Sequence, residues 1–119
     1  MALADRTKDI VIPYTIDGTF EALKKAVFGL KGFKINGFDE KEKTVYLSTG
    51  ISVISWGEIM TVSLAQAQTG GTVVSILSAP KTGVFLGGLI DLGKNRENIA
   101  IIIEALSAEL KGYPQLNPD

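Results

Sequence analysis

Glu58-Ile-Met-Thr-Val-Ser-Leu-Ala-Gln-Ala67, Thr69-Gly70-Gly71 and Thr72-Val-Val-Ser-Ile-Leu-Ser78 together decide the fold. In the first run Met60, Val62 and Leu64 alternate with Thr61, Ser63 and Ala65, the period of two that marks a half-buried strand. The second run is β-branched and short. A Gly-Gly pair between two such runs is a tight-turn signal. The stretch therefore predicts an antiparallel hairpin, and the rest of the chain has to be fitted around it.

Towards the N-terminus the same pattern recurs. Phe33–Phe38 and Thr44–Ser48 flank the charged turn Asp39-Glu-Lys-Glu-Lys43, which predicts a second hairpin with a solvated tip. Residues 49–56 are apolar but broken by Gly50, so they read as a bent extension of that strand or a bulged corner. Before the hairpin, Phe20, Leu23, Val27 and Leu30 fall at helical spacing, with Glu21, Lys24, Lys25 and Lys31 opposite. Asp17 or Thr19 is the expected N-cap and Gly32 the expected stop. Ile10–Ile16 reads as a first strand, with Pro13 pushing it to a sheet edge or a bulge.

Towards the C-terminus, Pro80, Gly83, Gly87, Gly88 and Gly93 punctuate residues 79–93, which read as irregular. Asn95 then caps an expected final helix to Leu110, with Ile99, Ile102, Ile103, Leu106 and Leu110 as its apolar stripe. Gly112 and Pro114 end it. The expected layout is a flexible N-terminus over 1–9, one domain over 10–112 and a loose tail over 113–119. The fold class is α+β. We expect a two-layer sandwich with an antiparallel sheet of about five strands, in the order β-α-β-β-β-β-α, and two helices packed on one face. Thr61, Ser63, Ala65 and Ser75 would lie on the other face, which suits water or a lightly packed partner.

Composition narrows the chemistry. The 119 residues are 45% hydrophobic and 21% charged, with net charge −1. A domain of this size buries roughly two thirds of its unfolded surface, enough for a core without staples. There is no cysteine and no histidine. That removes thiol nucleophiles, disulfides, Cys/His zinc sites and any Ser-His-Asp triad. No metal and no cofactor is expected. A sequence pI of 5.4 lacks the basic footprint of a nucleic-acid binder, and the bases around Phe33, Phe38 and Tyr46 are interleaved with acids. No secretory leader pattern and no transmembrane run of the ~18 apolar residues needed is present. The expected compartment is the cytoplasm.

Gly88-Leu-Ile-Asp-Leu-Gly93-Lys94-Asn95 nearly spells a phosphate-binding P-loop. It has Asn where the motif needs a magnesium-holding Ser or Thr, and too little chain follows to supply a parallel sheet. The plain alternative is a glycine turn with an Asn cap. A further one is an anion site on free N–H groups, helped by Lys94, Asn95 and Arg96. Val84-Phe85-Leu86-Gly-Gly-Leu89-Ile90 is apolar and uncharged where loops are polar. It reads either as a crossover strand buried in the core, or as an exposed loop contacting a second copy, a protein partner or a membrane surface. Trp56 beside Gly57 reads as packing. Glu58 could serve as a general acid or base, but no second carboxylate stands near it in sequence. Asp91 reads as a helix-capping or dipole-stabilising residue.

Ser55-Trp56-Gly57-Glu58, Gly71-Thr72-Val-Val-Ser-Ile-Leu-Ser78 and Asp91-Leu-Gly93-Lys94-Asn95-Arg96-Glu-Asn98-Ile99 together resemble a family of small uncharacterised bacterial domains. These pair a WGE strand with a GT-V-I-S strand and a D-GKN–NI helix start. The resemblance spans roughly residues 10–110. It implies a fold and no activity.

These observations make a non-enzymatic binding or protein-interaction module the leading expectation, with the sheet face or Val84–Ile90 as its contact surface. The second is a helix-grip-like carrier of a small apolar ligand between helix and sheet, lined by Met60, Val62, Leu64, Ile99, Ile102 and Leu106. An enzyme comes third, because acid–base and nucleophilic partners are scarce.

Overall fold

The computed structural model describes the backbone of residues 6–49, 58–80 and 85–116. Seven elements follow one another: β1 (Arg6–Ile12), α1 (Ile16–Phe28), β2 (Phe33–Asp39), β3 (Thr44–Thr49), β4 (Glu58–Gln66), β5 (Thr72–Pro80) and α2 (Phe85–Leu110). The five strands form one antiparallel sheet in the order β1-β5-β4-β3-β2. The expected α+β class, element order and two-helix layout are present.

The β4–β5 hairpin forms as its alternation requires. Met60, Val62 and Leu64 are buried and pair across the sheet with Ser78, Ile76 and Val74. At the turn, Ala67 donates to the Gly71 carbonyl at 2.9 Å and Gly70 donates back to Ala67 at 3.1 Å. Gly70 has φ +98°, in the left-handed region. Gly71 is needed for a different reason: a Cβ there would overlap the Ile12 carbonyl oxygen at the end of β1. The second hairpin, β2–β3, carries a bulge between Ile35 and Gly37 that leaves Asn36 unpaired.

β1 begins earlier and ends earlier than the expected Ile10–Ile16. It takes in Arg6–Asp9, which the sequence assigns to a flexible N-terminus, because pairing with β5 supplies the hydrogen bonds that this polar segment could not supply itself. It stops at Ile12 because Pro13 has no N–H to give. A charged edge strand of this kind also resists adding a further strand.

Helix α1 is capped by Thr15, not by Asp17 or Thr19. The Thr15 Oγ1 accepts from Gly18 N at 3.0 Å. Asp17 occupies the first turn, where its charge suits the helix dipole. The helix ends at Gly29, whose N–H reaches back to Ala26 and Val27, so Gly32 lies beyond it in the turn to β2.

The largest departure is at α2. The helix starts at Phe85 and runs 26 residues, about 39 Å at 1.5 Å per residue. Gly87, Gly88 and Gly93 lie inside it and Asn95 is not its cap. The D-GKN–NI segment is therefore helix interior and not a helix start. Each interior glycine costs about 1 kcal/mol relative to alanine, which is why the sequence reads as broken there. Apolar residues at helical spacing flank the break: Phe85, Leu89 and Leu92 precede Gly93-Lys-Asn-Arg96, and Ile99, Ile103, Leu106 and Leu110 follow it.

Both helices pack on one face of the sheet. Phe20, Leu23 and Val27 of α1 and Ile99, Ile102, Leu106 and Leu110 of α2 join the inner sheet residues in one cluster. The opposite face is open. Tyr46, Ile59, Leu77 and Val11 are exposed there between half-buried Thr61, Ser63 and Ser75, so this face is more apolar than its small residues suggest. Residues 113–116 are pinned and not loose: Leu116 N donates to the Pro13 carbonyl at 2.7 Å.

Candidate functional site

The space between α2 and the sheet is where functional chemistry has to be sought. Its floor is the inner sheet face: Val45 and Leu47 of β3, Met60, Val62 and Leu64 of β4, and Val74 and Ile76 of β5. Alternation puts these seven on one side because successive strand residues face opposite ways. Its roof is α2 and its side wall is α1. The six residues that the sequence assigns to a cavity lining, Met60, Val62, Leu64, Ile99, Ile102 and Leu106, all lie in this buried cluster.

The two ends of the interior differ. At the end marked by Leu64 and Val74 the interior is sealed. Leu64 N donates to the Lys43 carbonyl at 3.0 Å. Lys24 and Lys43 lie over the Phe20 ring, with Nζ 4.7 Å and 5.2 Å from its centroid. Lys24 bridges Glu21 and Glu40, each at 3.2 Å, and Lys43 reaches Asp17 at 3.5 Å. Its hydrogen bond to Glu21, helped by the one to Glu40, holds the Lys24 ammonium above the usual lysine pKa despite some desolvation. Lys43 holds φ +53°, a left-handed backbone that a non-glycine residue adopts at a cost of about 1 kcal/mol.

The other end is marked by Met60, which pairs with Leu47 and Ser78. It receives the N-terminal half of α2, since α2 follows β5 and ends beside the pinned tail. Two polar residues are buried here, Ser78 at 0% and Asn98 at 7% exposure. On α1, Thr19 is fully buried, and its Oγ1 has no hydrogen-bond partner. Sequence reasoning passed over Ser78 and Thr19 as site residues. Their signal was a hydroxyl at an apolar-face position of a strand and of a helix.

The other residues singled out in the sequence fall as follows. Phe85, Leu86, Leu89 and Ile90 belong to the first turns of α2, so the segment is neither a loop nor a crossover strand; Val84 lies outside the described residues. Lys94, Asn95 and Arg96 sit in the middle of α2. Their amides belong to the helical ladder, so the free N–H groups on which an anion site depended do not exist there. Asp91 is likewise no helix-terminal residue. Glu58 opens β4, and Trp56 lies outside the described residues. Among the described residues, no group of three acidic side chains is placed to hold a metal, and no helix is long and apolar enough to cross a membrane.

A separate concavity of about 270 Å³ sits outside the core, where Tyr14 and Gly18 meet Tyr113, Pro114, Gln115 and Leu116. Lys25 lies 5.7 Å from the Tyr113 ring centroid, and a hydrogen bond to Tyr113 raises its pKa. This pocket belongs to the packing of the tail against the β1–α1 turn.

No protein-family model matches the chain, and no curated protein matches it by sequence. Solved structures do match in three dimensions. The di-domain ARO/CYC protein BexL superposes with TM-score 0.69 at 10% identity, over 92% of this chain and 48% of that one. This chain thus spans about half of that protein. Ara h 8.0201 superposes with TM-score 0.59 at 14% identity, covering 90% of this chain and 97% of that one. Norcoclaurine synthase from Thalictrum flavum, solved with dopamine and hydroxybenzaldehyde, gives TM-score 0.60 at 10% identity, over 93% and 88% of the two chains. At these identities the likeness shows the fold alone: a helix-grip arrangement, in which a long C-terminal helix lies against an antiparallel sheet. It also corrects one expectation. The scarcity of acid–base pairs pointed away from an enzyme, yet a synthase and an aromatase/cyclase are built on this same frame. Lacking histidine and cysteine is thus no ground for excluding catalysis in a fold whose chemistry depends on what lines its interior.

Proposed function

We propose that the protein binds a small, largely apolar ligand between α2 and the inner face of the sheet. One observation carries this reading: a largely apolar sheet face lies under the helices, and the long helix places a glycine in the row that packs on it. Gly88, Leu92, Asn95, Ile99, Ile102 and Leu106 follow one another along α2 at steps of four and three, a single row of the helix. Its last three members are buried against the sheet. Its first member has no side chain. A helix evolved only to fill a core would carry leucine or isoleucine there, since each glycine both weakens the helix and leaves space. Pockets for small ligands are lined mostly by apolar side chains with few polar groups, and the residues that line this interior are of that kind. The ligand-bearing synthase structure of the same fold supports the reading.

The test is titration with N-phenyl-1-naphthylamine, a neutral probe that brightens in apolar surroundings. Saturable binding is expected. Gly88→Leu should weaken it by at least about tenfold by filling the space, while thermal unfolding stays cooperative. An absence of saturable binding, or an unchanged affinity in Gly88→Leu, overturns the reading.

A further inference from the structure

The outer face of the sheet, turned away from both helices, lacks the charge that a solvated face of this chain would carry. Residues paired across neighbouring strands share a face, so the register gives its membership. On the three central strands, β3, β4 and β5, the outward positions are every second residue from Thr44 to Ser48, from Ile59 to Ala65 and from Val73 to Leu77, and none of them is charged. Among the described residues, charge enters this face only on the edge strands, as Asp9 on β1 and Lys34 and Asp39 on β2. Yet 21% of the whole chain is charged. Four of the six large apolar side chains that stand exposed among the described residues are on this face: Val11, Tyr46, Ile59 and Leu77. Three of these make one patch. Tyr46 and Leu77 flank Thr61 on its two neighbouring strands, and Ile59 is the next outward residue along β4. An uncharged centre with a tyrosine and a charged rim is the composition of an interface core, not of a wetted surface.

We propose that this face docks a second copy of the chain, the two sheets stacking about 10 Å apart as in a β-sandwich. The extent of the face is sufficient. Five strands about 4.8 Å apart, each paired over about seven residues of about 3.4 Å, cover about 580 Å². Two such faces together bury about 1,150 Å², above the roughly 1,000 Å² that a specific association needs and within the range of weak, reversible complexes. A second copy is the occupant that an uncharged face favours. Recognition of a foreign partner draws much of its selectivity from charge, and the three central strands offer none. Two identical uncharged faces meet without like-charge repulsion, and a two-fold axis lets each copy cover the other's apolar patch. The sheet edges do not compete for this role, because β1 is charged and β2 is bulged.

Sedimentation equilibrium of the intact chain from about 5 to about 500 µM tests this. A reversible monomer–dimer equilibrium is expected, with a dissociation constant on the order of 10 µM. Leu77→Lys and Tyr46→Lys should each weaken it at least about tenfold, since each buries an unpaired charge from both copies. Both side chains are exposed in the single chain, so thermal unfolding should stay cooperative; if one variant fails to fold, the other decides. Ile101→Lys changes an exposed apolar residue on α2 and should leave the constant within about twofold. Raising salt to about 1 M should not dissociate the dimer, since no ion pair sits at its centre. A monomer at every concentration overturns the proposal. So does a dimer that survives both sheet variants, one that Ile101→Lys disrupts equally, or one that salt dissolves.

Discussion

The two halves of α2 obey different rules. From Ile99 to Leu110 the helix buries one apolar stripe against the sheet and against α1. From Phe85 to Arg96 it carries three glycines, although it is one continuous helix. The C-terminal half reads as a structural element, with bulk wherever bulk can be buried. The N-terminal half gives up helix propensity at three glycines. A helix can stay regular in backbone while its sequence changes purpose midway.

The strongest way to break this contrast is to remove bulk from the C-terminal half. Ile102→Ala should cost about 3 kcal/mol of unfolding free energy, read from a urea midpoint with an unchanged slope. A loss under about 1 kcal/mol would mean that this half is loosely packed too. The complementary change in the N-terminal half is Gly93→Ala, at a position half a turn away from the sheet-facing row. It should raise stability by up to about 1 kcal/mol without touching probe binding. A destabilisation there would show that Gly93 is packed against something, and the contrast would fail.

A finer probe is Thr19→Val on α1. Its buried hydroxyl has no partner, so the nearly isosteric apolar side chain should raise the thermal midpoint, by about 1 kcal/mol of stability. A fall would mean that the hydroxyl is satisfied in solution by a buried water.

The smallest effect concerns the sealed end. Lys24 holds its proton more tightly folded than unfolded, through Glu21 and Glu40. A raised lysine pKa stabilises the fold fully below the unfolded value near 10.5 and loses that contribution as pH climbs through the folded value. Lys24→Met should therefore flatten the stability profile above about pH 10 and leave its slope between pH 6 and 9 unchanged. A changed slope in the neutral range would assign the effect to other groups.

Much of the frame was legible in the sequence. Both hairpins and α1 followed from periods of two and 3.6, because their patterns are local and unbroken. Thr15 was missed as the cap because Asp17 is an equally good capping residue two positions on; the choice depends on where the backbone turns after Pro13. The start of α2 was missed because three glycines and a near-miss P-loop argue locally for a break, yet the helix runs through them. The pairing of β1 with β5 could not be read at all, since nothing in either strand specifies a partner so distant. The apolar lining of the interior was legible as alternation and stripe.

The place of β1 beside β5 sets an order of events. Arg6 pairs with Ser78 and Ile12 with Thr72, so the first strand finds no sheet partner until the last has been made. The two hairpins can zip locally, but the sheet edge closes only by a contact spanning most of the chain, and such closures are slow. While the chain emerges from a ribosome, the Val74 and Ile76 side of the sheet waits uncovered for α2, and the β5 edge waits for a segment made long before. A chaperone that holds short charged strands and bare apolar sheet would meet both in the same nascent chain.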